Sequence, residues 1–330
     1  MEAVGKNGRA SQAWADYWDR HGADSRRLVG GARHGGLFDA FWRETLSGEF
    51  EARSRVRVLD AACGDGAVAR LCAQLAGDAD GCAADLHASD FSPGALTALE
   101  QRQGAAGIKL VAADACRLPY ADGSFDMVTS QCGLEYAGHE AFSDAARLVA
   151  PAGRMLAVIH RTDGVIFDEC TANLAILDRL DNSGVMSSCR RLFELQRKLL
   201  AGEVVPRVVA RASGKLGLAL TRLTNAVQRA ADGAARSHAL RLLADLATLQ
   251  VRHAAYPPDQ IEPWLDTQAG ELIAFRQRMQ SMLDAAADEP GLSRILERLD
   301  AAGLGRAEIG EIRATGIDPP LAWTLSAAAA

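Results

Sequence analysis

VRVLDAACGDGAVARLC, residues 56–72, is the stretch of sequence that decides the fold. Its apolar and β-branched start predicts the end of a buried parallel strand, with Asp60 at the carboxyl end of that strand. Gly64 and Gly66 then break the strand, and apolar residues recur at helical spacing beyond them. A glycine turn before a helix presents unpaired backbone N–H groups. Strand, turn and helix together therefore predict a nucleotide-binding site.

The acidic residues around this turn indicate which kind of nucleotide it binds. Residues 64–69 can be aligned with the dinucleotide pattern G-x-G-x-x-G/A. The carboxylates of Asp60 and Asp65 would, however, repel a pyrophosphate, which argues against a nicotinamide dinucleotide. No Lys-Ser/Thr pair follows the glycines, which argues against a Walker P-loop. A cationic ligand suits an acidic turn better, and S-adenosylmethionine carries a sulfonium and an amino group.

The segment LDAACGDG, residues 59–66, resembles the first motif of the class I S-adenosylmethionine-dependent methyltransferases. Later segments up to Ile159 resemble that family's following motifs in the same order, in particular those of its ubiquinone- and menaquinone-biosynthesis type. Ala62 stands where many members have the first glycine. The resemblance implies a doubly wound, Rossmann-like α/β fold with a seven-stranded sheet, N-terminal helices and a helical cap insertion. It also implies S-adenosyl-L-methionine as the cofactor and S-adenosyl-L-homocysteine as its product.

The acid that would bind the ribose of this cofactor is Asp90. It ends a predicted strand in the pattern D-F-S-P, and the two oxygens of a carboxylate can accept both ribose hydroxyls. Asp85 is the competing residue, and D-F-S-P resembles the family's pattern better. The resemblance implies cofactor contacts from the ends of all four central strands: Asp60, Ala62, Gly64 and the loop at Gln131 at the methionine end, Asp90 and Phe91 at the ribose, and Asp114 and Ala115 at the adenine.

Residues 118–128, LPYADGSFDMV, resemble the family's L-P-F-x-D-x-S-F-D-x-V segment almost position for position. The expected fifth strand follows at Met155–Ile159, and His160 lies at its tip. Histidine is a candidate general base for O- or N-methylation because its pKa lies near neutral pH. Methyl transfer depends more on alignment than on acid–base help, so a structural role for His160 remains the alternative, and His139 is a weaker candidate.

Composition limits the class of protein and its location. The chain has 330 residues, 48% of them hydrophobic and 24% charged, as expected of a globular protein. No run of eighteen apolar residues predicts a transmembrane helix, and the N-terminus lacks the apolar segment of a signal peptide. Seven scattered cysteines form no C-x-x-C pair and no metal-like cluster with histidine. We therefore expect a cytoplasmic protein with reduced thiols and no metal site.

Four regions are predicted along the chain. Residues 1–50 form N-terminal helices broken by glycines at 30–36, and the resemblance implies that Tyr17 and Trp18 cover the mouth of the active site, with plain helix packing as the alternative. Residues 51–160 form the cofactor-binding core, and 161–290 a helical cap that shapes the acceptor pocket. Residues 291–330 supply the last helix, a closing antiparallel strand pair and a frayed tail from Ala327.

The predicted cap carries one orderly stripe of basic residues, from Arg207 to Arg236, whose spacing predicts one amphipathic helix interrupted near Gly214 and Gly217. Residues 190–253 contain twelve basic and four acidic side chains in a chain of net charge −6. This imbalance favours an acidic partner such as an acyl carrier protein, an anionic lipid surface or a phosphorylated substrate, unless the stripe is only a solvated face. The near absence of stacking aromatics argues against nucleic acid as the partner.

The sequence thus predicts methyl transfer to an oxygen, nitrogen or carbon of a small-molecule acceptor, either a secondary metabolite or one tethered to a carrier, as in natural product biosynthesis. Three alternatives remain open: a methyltransferase fold without catalysis that serves in assembly, a methyltransferase acting on a lipid at an anionic membrane surface, and a nicotinamide oxidoreductase. An apolar seam from Leu272 to Ala286 indicates core packing or, as the alternative, a homodimer.

Overall fold

The computed structural model describes residues 12–19, 31–79, 81–102, 104–105, 107–316 and 318–329. The chain divides into two compact units. The sheet unit comprises Met1–Asp168 with Ser281–Ala330, and the helical unit comprises Glu169–Gln280. The helical unit lies within the range 161–290 that the sequence assigns to a cap.

The sheet has seven strands in the order β3-β2-β1-β4-β5-β7-β6. Strands β1 to β5 are parallel, whereas β7 runs antiparallel to both β5 and β6. This topology confirms the predicted doubly wound fold and its closing antiparallel pair. The strand order reverses between β1 and β4, which is where open α/β sheets bind ligands. The strands are β1 Arg55–Ala61, β2 Ala83–Asp90, β3 Lys109–Ala112, β4 Phe125–Gln131, β5 Val149–His160, β6 Arg306–Ile312 and β7 Ala322–Ala328.

Helices flank the sheet and bury its apolar faces. Ser92 caps the helix after β2 by accepting a hydrogen bond from Ala95, and Pro93 occupies its first turn, as the sequence predicts. Fully buried strand residues such as Leu59 and Val128 pack against Phe142 and other helical side chains. The helices of the sheet unit are α1 (residues 12–19), α2 Gly31–Glu51, α3 Ala67–Asp78, α4 Pro93–Glu100, α5 Leu134–Ala137, α6 His139–Arg147 and α12 Glu289–Ala301.

The predicted glycine break between the N-terminal helices is wrong for the described residues, and Gly30 lies outside them. Gly35 and Gly36 are part of α2, where a Cβ at either position would meet no described atom within 4 Å. Two glycines in a helix cost about 1–2 kcal/mol relative to alanine. Trp42 and Leu46 are almost completely buried one to three turns later, and their packing offsets that cost.

Two predictions about β5 and β7 are also wrong. Strand β5 begins at Val149 instead of Met155, and its pairing with β4 shifts register between Phe125 and Met127. The irregular stretch therefore lies inside a long strand. Ala327, predicted in a frayed tail, is fully buried and pairs with neighbours on both sides.

The helical unit contains helices α8 Val185–Leu200, α9 Pro206–Gln228 and α10 Ala234–Val251, a 3-10 turn at His253–Ala255, and parts of α7 Val165–Ser183 and α11 Pro258–Ala285. The predicted single basic helix is wrong. Helix α9 ends at Gln228, so Arg229 and Arg236 lie outside it, and no break occurs at Gly214 or Gly217. The apolar face of α9 is buried as predicted, and the seam residues Leu272, Met279 and Met282 are buried as well. Among the described residues, no helix combines the length and hydropathy required to span a bilayer.

Candidate active site

The turn after β1 is built from residues in the left-handed backbone region. The φ angles of Ala62, Gly64 and Gly66 are 54°, 54° and 71°. A Cβ on Gly66 would lie 2.4 Å from Cδ1 of Leu99, so both conformation and space require glycine there. Ala62 adopts a conformation that alanine tolerates poorly, which accounts for the glycine that many class I methyltransferases have at this position.

Asp60 is buried directly beneath this turn. Its Oδ2 accepts a hydrogen bond of 2.9 Å from the backbone N–H of Ala69 in α3, and its Oδ1 accepts one of 3.3 Å from the hydroxyl of Thr129. Burial raises the pKa of Asp60 to about 7. The two hydrogen bonds offset part of that rise, and the nearby carboxylates of Asp90 and Asp65 add to it. A cationic ligand beside Asp60 would favour the ionised carboxylate again.

Asp90 lies at the carboxyl end of β2, against the same turn. Its Oδ2 accepts the N–H of Gly64 and its Oδ1 accepts the N–H of Ser92, each at 2.8 Å. Each oxygen keeps a second lone pair for a ribose hydroxyl. Asp85, the competing residue, is near the opposite end of the strand and pairs with the ammonium of Lys109 at 2.7 Å. The structure thus brings Asp90, and not Asp85, to the glycine turn.

The remaining predicted cofactor residues lie at neighbouring strand ends. Phe91 follows Asp90 and is 52% exposed, which is unusual for a phenylalanine and leaves its ring open to a ligand. Asp114 is exposed after β3 and accepts the N–H of Cys116 at 2.9 Å, while Ala115 is buried. Gln131 ends β4, but its side-chain oxygen accepts the indole N–H of Trp42 at 2.7 Å. The side-chain oxygen of Gln131 is therefore engaged by α2 in this arrangement.

An aromatic cluster from α1 lies over the turn. A Cβ on Gly64 would approach the ring of Trp18 to 3.0 Å, and Tyr17 packs edge-on against Trp18 at 5.1 Å between ring centroids. Trp14 contacts Tyr136 of α5, the short helix after β4, in the same geometry, at 5.5 Å. These rings cover the carboxyl edge of the sheet, the region to which the resemblance assigns Tyr17 and Trp18.

His160 lies at the tip of β5 and is almost fully buried. Its Nδ1 lies 2.9 Å from Oε1 of Glu135, and its backbone N–H donates to the same oxygen at 3.0 Å. Cys132, whose φ is 50°, completes a cluster in which one potential ligand atom of each residue lies within 4.8 Å of the others. This cluster and the part of Glu135 in it were not predicted from the sequence, because nothing in the chain order relates residue 135 to residue 160.

The protonation of His160 follows from these neighbours. Burial by itself lowers the pKa of His160, but the sulfur of Cys132 and the carboxylate of Glu135 outweigh burial and raise that pKa to about 10. At neutral pH the imidazolium form is therefore favoured. Because Glu135 already accepts two hydrogen bonds from His160, we interpret this cluster as a hydrogen-bonded group next to the crevice.

These residues fit S-adenosylmethionine as a ligand. The buried Asp60 carboxyl at the glycine turn matches a cation, the Asp90 carboxylate matches a ribose, and the exposed ring of Phe91 offers an apolar contact surface. Comparison with known families gives a match for residues 59–157 to the methyltransferase domain family. This part of the chain is a class I methyltransferase domain. Its cofactor is S-adenosyl-L-methionine, as predicted.

The methyltransferase domain also has curated relatives. It is 37% identical over 120 residues to the demethylmenaquinone methyltransferase of Beutenbergia cavernae, a match that covers 36% of this chain and 46% of that protein. It is 39% identical over 120 residues to the enzyme of the same name from Mycolicibacterium vanbaalenii, covering 36% and 48%. The chain thus spans about half the length of the curated relatives it matches. Among solved structures, a methyltransferase from Aquifex aeolicus is 13% identical, covers 41% of this chain and 72% of its own, and has a TM-score of 0.33.

Proposed function

We propose that this protein transfers the methyl group of S-adenosylmethionine to an oxygen, nitrogen or carbon of a small-molecule acceptor. The observation that carries the proposal is the convergence of Asp60, Asp90 and the glycine turn at the point where the strand order reverses, with His160 at the tip of the next strand. When bound, the cofactor supplies an electrophilic methyl group on a positively charged sulfur.

The residues of the chain would bind and align the reactants. Asp60 would balance the positive charge at the methionine end, and Asp90 would hold the ribose against the turn that it already orders. Asp114 and Ala115 would receive the adenine. The ring of Trp18 over Gly64 would exclude water from the crevice. Since methyl transfer is an in-line displacement, this alignment supplies most of the rate enhancement.

We propose that His160 takes the proton of the acceptor, with Glu135 as the positioning residue that holds its ring. Only unprotonated imidazole can accept a proton, and the pKa of His160 is about 10. The turnover rate should therefore rise from neutral pH towards that value. His160→Gln should lower the rate and remove the rise, whereas His139→Gln, a histidine in the first turn of α6, should leave both unchanged. A rate independent of pH across this range in the wild type would contradict the base role.

The class of acceptor is proposed from two observations. The curated relatives are named demethylmenaquinone methyltransferases, and a row of rings runs from Trp14 through Tyr136 to His160 at 5.5 and 5.7 Å. Both favour a flat, conjugated acceptor of the quinol type. A secondary-metabolite or carrier-tethered acceptor, a role in natural product biosynthesis and a cytoplasmic location stay predictions.

The test is a turnover assay with S-adenosylmethionine and a panel of demethylated quinols, other aromatic metabolites and carrier-tethered acceptors. Release of S-adenosylhomocysteine, together with a product heavier by one methylene unit, is the expected result. Tight binding of S-adenosylhomocysteine without turnover on any acceptor would instead favour the non-catalytic alternative.

A further inference from the structure

One end of the helical unit exposes aliphatic side chains beside arginines, and we name it the basic tip. It consists of residues 197–211, which contain the end of α8 and the start of α9, and residues 250–253, at the end of α10. Two contacts with the residues that flank 197–211 hold these segments together: Gln250 donates to the hydroxyl of Ser213 at 2.8 Å, and His253 Nδ1 lies 3.2 Å from Oε1 of Gln196. The basic tip is therefore one continuous surface.

Four aliphatic side chains of the basic tip face solvent. Leu200 and Val251 are each 73% exposed, Val205 is 50% exposed and Val208 is 38% exposed. Scattered single apolar residues on a surface need no explanation, but these four lie at neighbouring ends of α8, α9 and α10 and form a patch, and such patches mark interaction sites. Elsewhere in the described part of the helical unit, only Leu218 and Ile273 are large aliphatic side chains of similar exposure, and the apolar face of α9 is buried.

The same surface is strongly basic. It carries five basic side chains and one acidic side chain, Glu203, although the whole chain has a net charge of −6. The guanidinium groups of Arg197, Arg207, Arg211 and Arg252 have no hydrogen-bond or ion-pair partner in the part of the chain that the structure describes. Two acids, Asp259 and Glu262, follow only in the first turns of α11. Unpaired cations around an apolar patch suit a partner with negative charge above an apolar layer.

We infer that the basic tip docks on the surface of an anionic lipid bilayer, with Leu200 and Val251 inserted among the headgroups. The basic tip combines aliphatic side chains on a turn and three helix ends with unpaired arginines, and this combination suits insertion into the headgroup region of a bilayer. The arginines attract anionic headgroups and overcome the repulsion expected of an acidic protein. This inference concerns the helical unit and goes beyond the proposed methyl transfer.

The expected effects are measurable with defined vesicles. Each arginine near an anionic surface contributes a factor of about five in binding, so Arg207→Gln with Arg252→Gln should weaken binding about 25-fold. Leu200→Ser with Val251→Ser should weaken it about tenfold or more, because inserted methyl and methylene groups are lost. Raised salt concentration should weaken the wild type in the same direction.

The experiment is co-sedimentation of the full chain with phosphatidylcholine vesicles that contain either no anionic lipid or about one-third phosphatidylglycerol. Binding to the anionic vesicles alone is expected. Matched controls are Leu218→Ser, which removes a similarly exposed leucine of α9 about 15 Å further along the helix, and Arg241→Gln on the exposed side of α10. Both should bind like the wild type, and circular dichroism should show that every variant is folded.

Three results would overturn the inference. They are no binding to anionic vesicles, equal binding to neutral ones, and loss of binding in the arginine pair without loss in the aliphatic pair. The last result would indicate a purely electrostatic partner, such as an acidic protein. Because the experiment needs neither cofactor nor acceptor, its failure would leave the proposed methyl transfer intact.

Discussion

The charged residues of the sheet unit and of the helical unit are held in place to very different degrees. In the sheet unit, Asp60 and Asp90 are fixed by strand register, by backbone N–H groups and by a glycine turn in which a Cβ on Gly66 would clash. In the helical unit, Arg207 and Arg252 are exposed at helix ends and have no side-chain partner among the described residues. A binding site that depends on backbone geometry tolerates few residue types at each position. A charged surface requires only that enough basic residues are present.

The largest expected effect concerns the cofactor site of the sheet unit. Asp90→Ala should weaken binding of S-adenosylhomocysteine about 100-fold or more, because two hydrogen bonds from ribose hydroxyls to the carboxylate are lost. Asp85→Ala removes a carboxyl from the same strand but from its opposite end, and it should leave the affinity unchanged. Isothermal titration calorimetry on both variants gives the answer. Equal losses in the two variants would show that the ribose assignment is mistaken.

A substitution in the glycine turn should have a nearly equal effect, in this case on the stability of the protein. Gly66→Ala places a Cβ 2.4 Å from the buried side chain of Leu99 at a φ of 71°, and should lower the free energy of unfolding by about 2–4 kcal/mol. Urea denaturation measures this change. A loss below about 0.5 kcal/mol would mean that the turn adapts easily and is not a fixed seat for the cofactor.

The pKa of Asp60 predicts how cofactor binding depends on pH. Only the ionised carboxylate attracts a cation, and burial raises the pKa of Asp60 to about 7. Affinity for S-adenosylmethionine should therefore be highest above pH 7 and fall as pH decreases below it, by up to about tenfold per pH unit. Calorimetry across this range tests the prediction, and Asp60→Asn should bind weakly with a flat profile. If the affinity of the wild type did not change with pH, Asp60 would not be the residue that attracts the cofactor.

The smallest expected effect concerns the helical unit. Gly214 lies in the interior of α9, where an added Cβ would meet nothing within 4 Å. Gly214→Ala should therefore raise the free energy of unfolding by about 0.5–1 kcal/mol, as expected for glycine in an open helix position. Thermal unfolding measures it. Destabilisation instead would mean that this helix has backbone constraints like those of the sheet unit.

The sequence predicted the sheet well and the helices less well, for physical reasons. The strand ends at Asp60 and Asp90 are marked by glycine, by proline and by a carboxyl that caps backbone N–H groups, so they could be located from the chain. The helical stretches lack such markers: α2 continues through Gly35 and Gly36 because its later side chains are buried, and α9 stops before Gly233 within an unbroken helical pattern.

The candidate site was predictable where a motif names a residue and not where tertiary contact creates a partner. The hydrogen bond between Glu135 and His160 joins residues 25 positions apart in two different elements. The hydrogen bond from Trp42 to Gln131 is also a tertiary contact, because it depends on how α2 packs on β4. Neither has a signal in a single sequence, since burial and strand neighbours decide both.

The measurement that tests the central claim most directly is a parallel calorimetric titration of the wild-type chain with S-adenosylhomocysteine and NADH. An acidic glycine turn with Asp60 buried beneath it should bind S-adenosylhomocysteine at one site and NADH not at all. Binding of NADH with equal or greater affinity would contradict the assignment of this turn to a methyl donor, and so would the absence of binding by both.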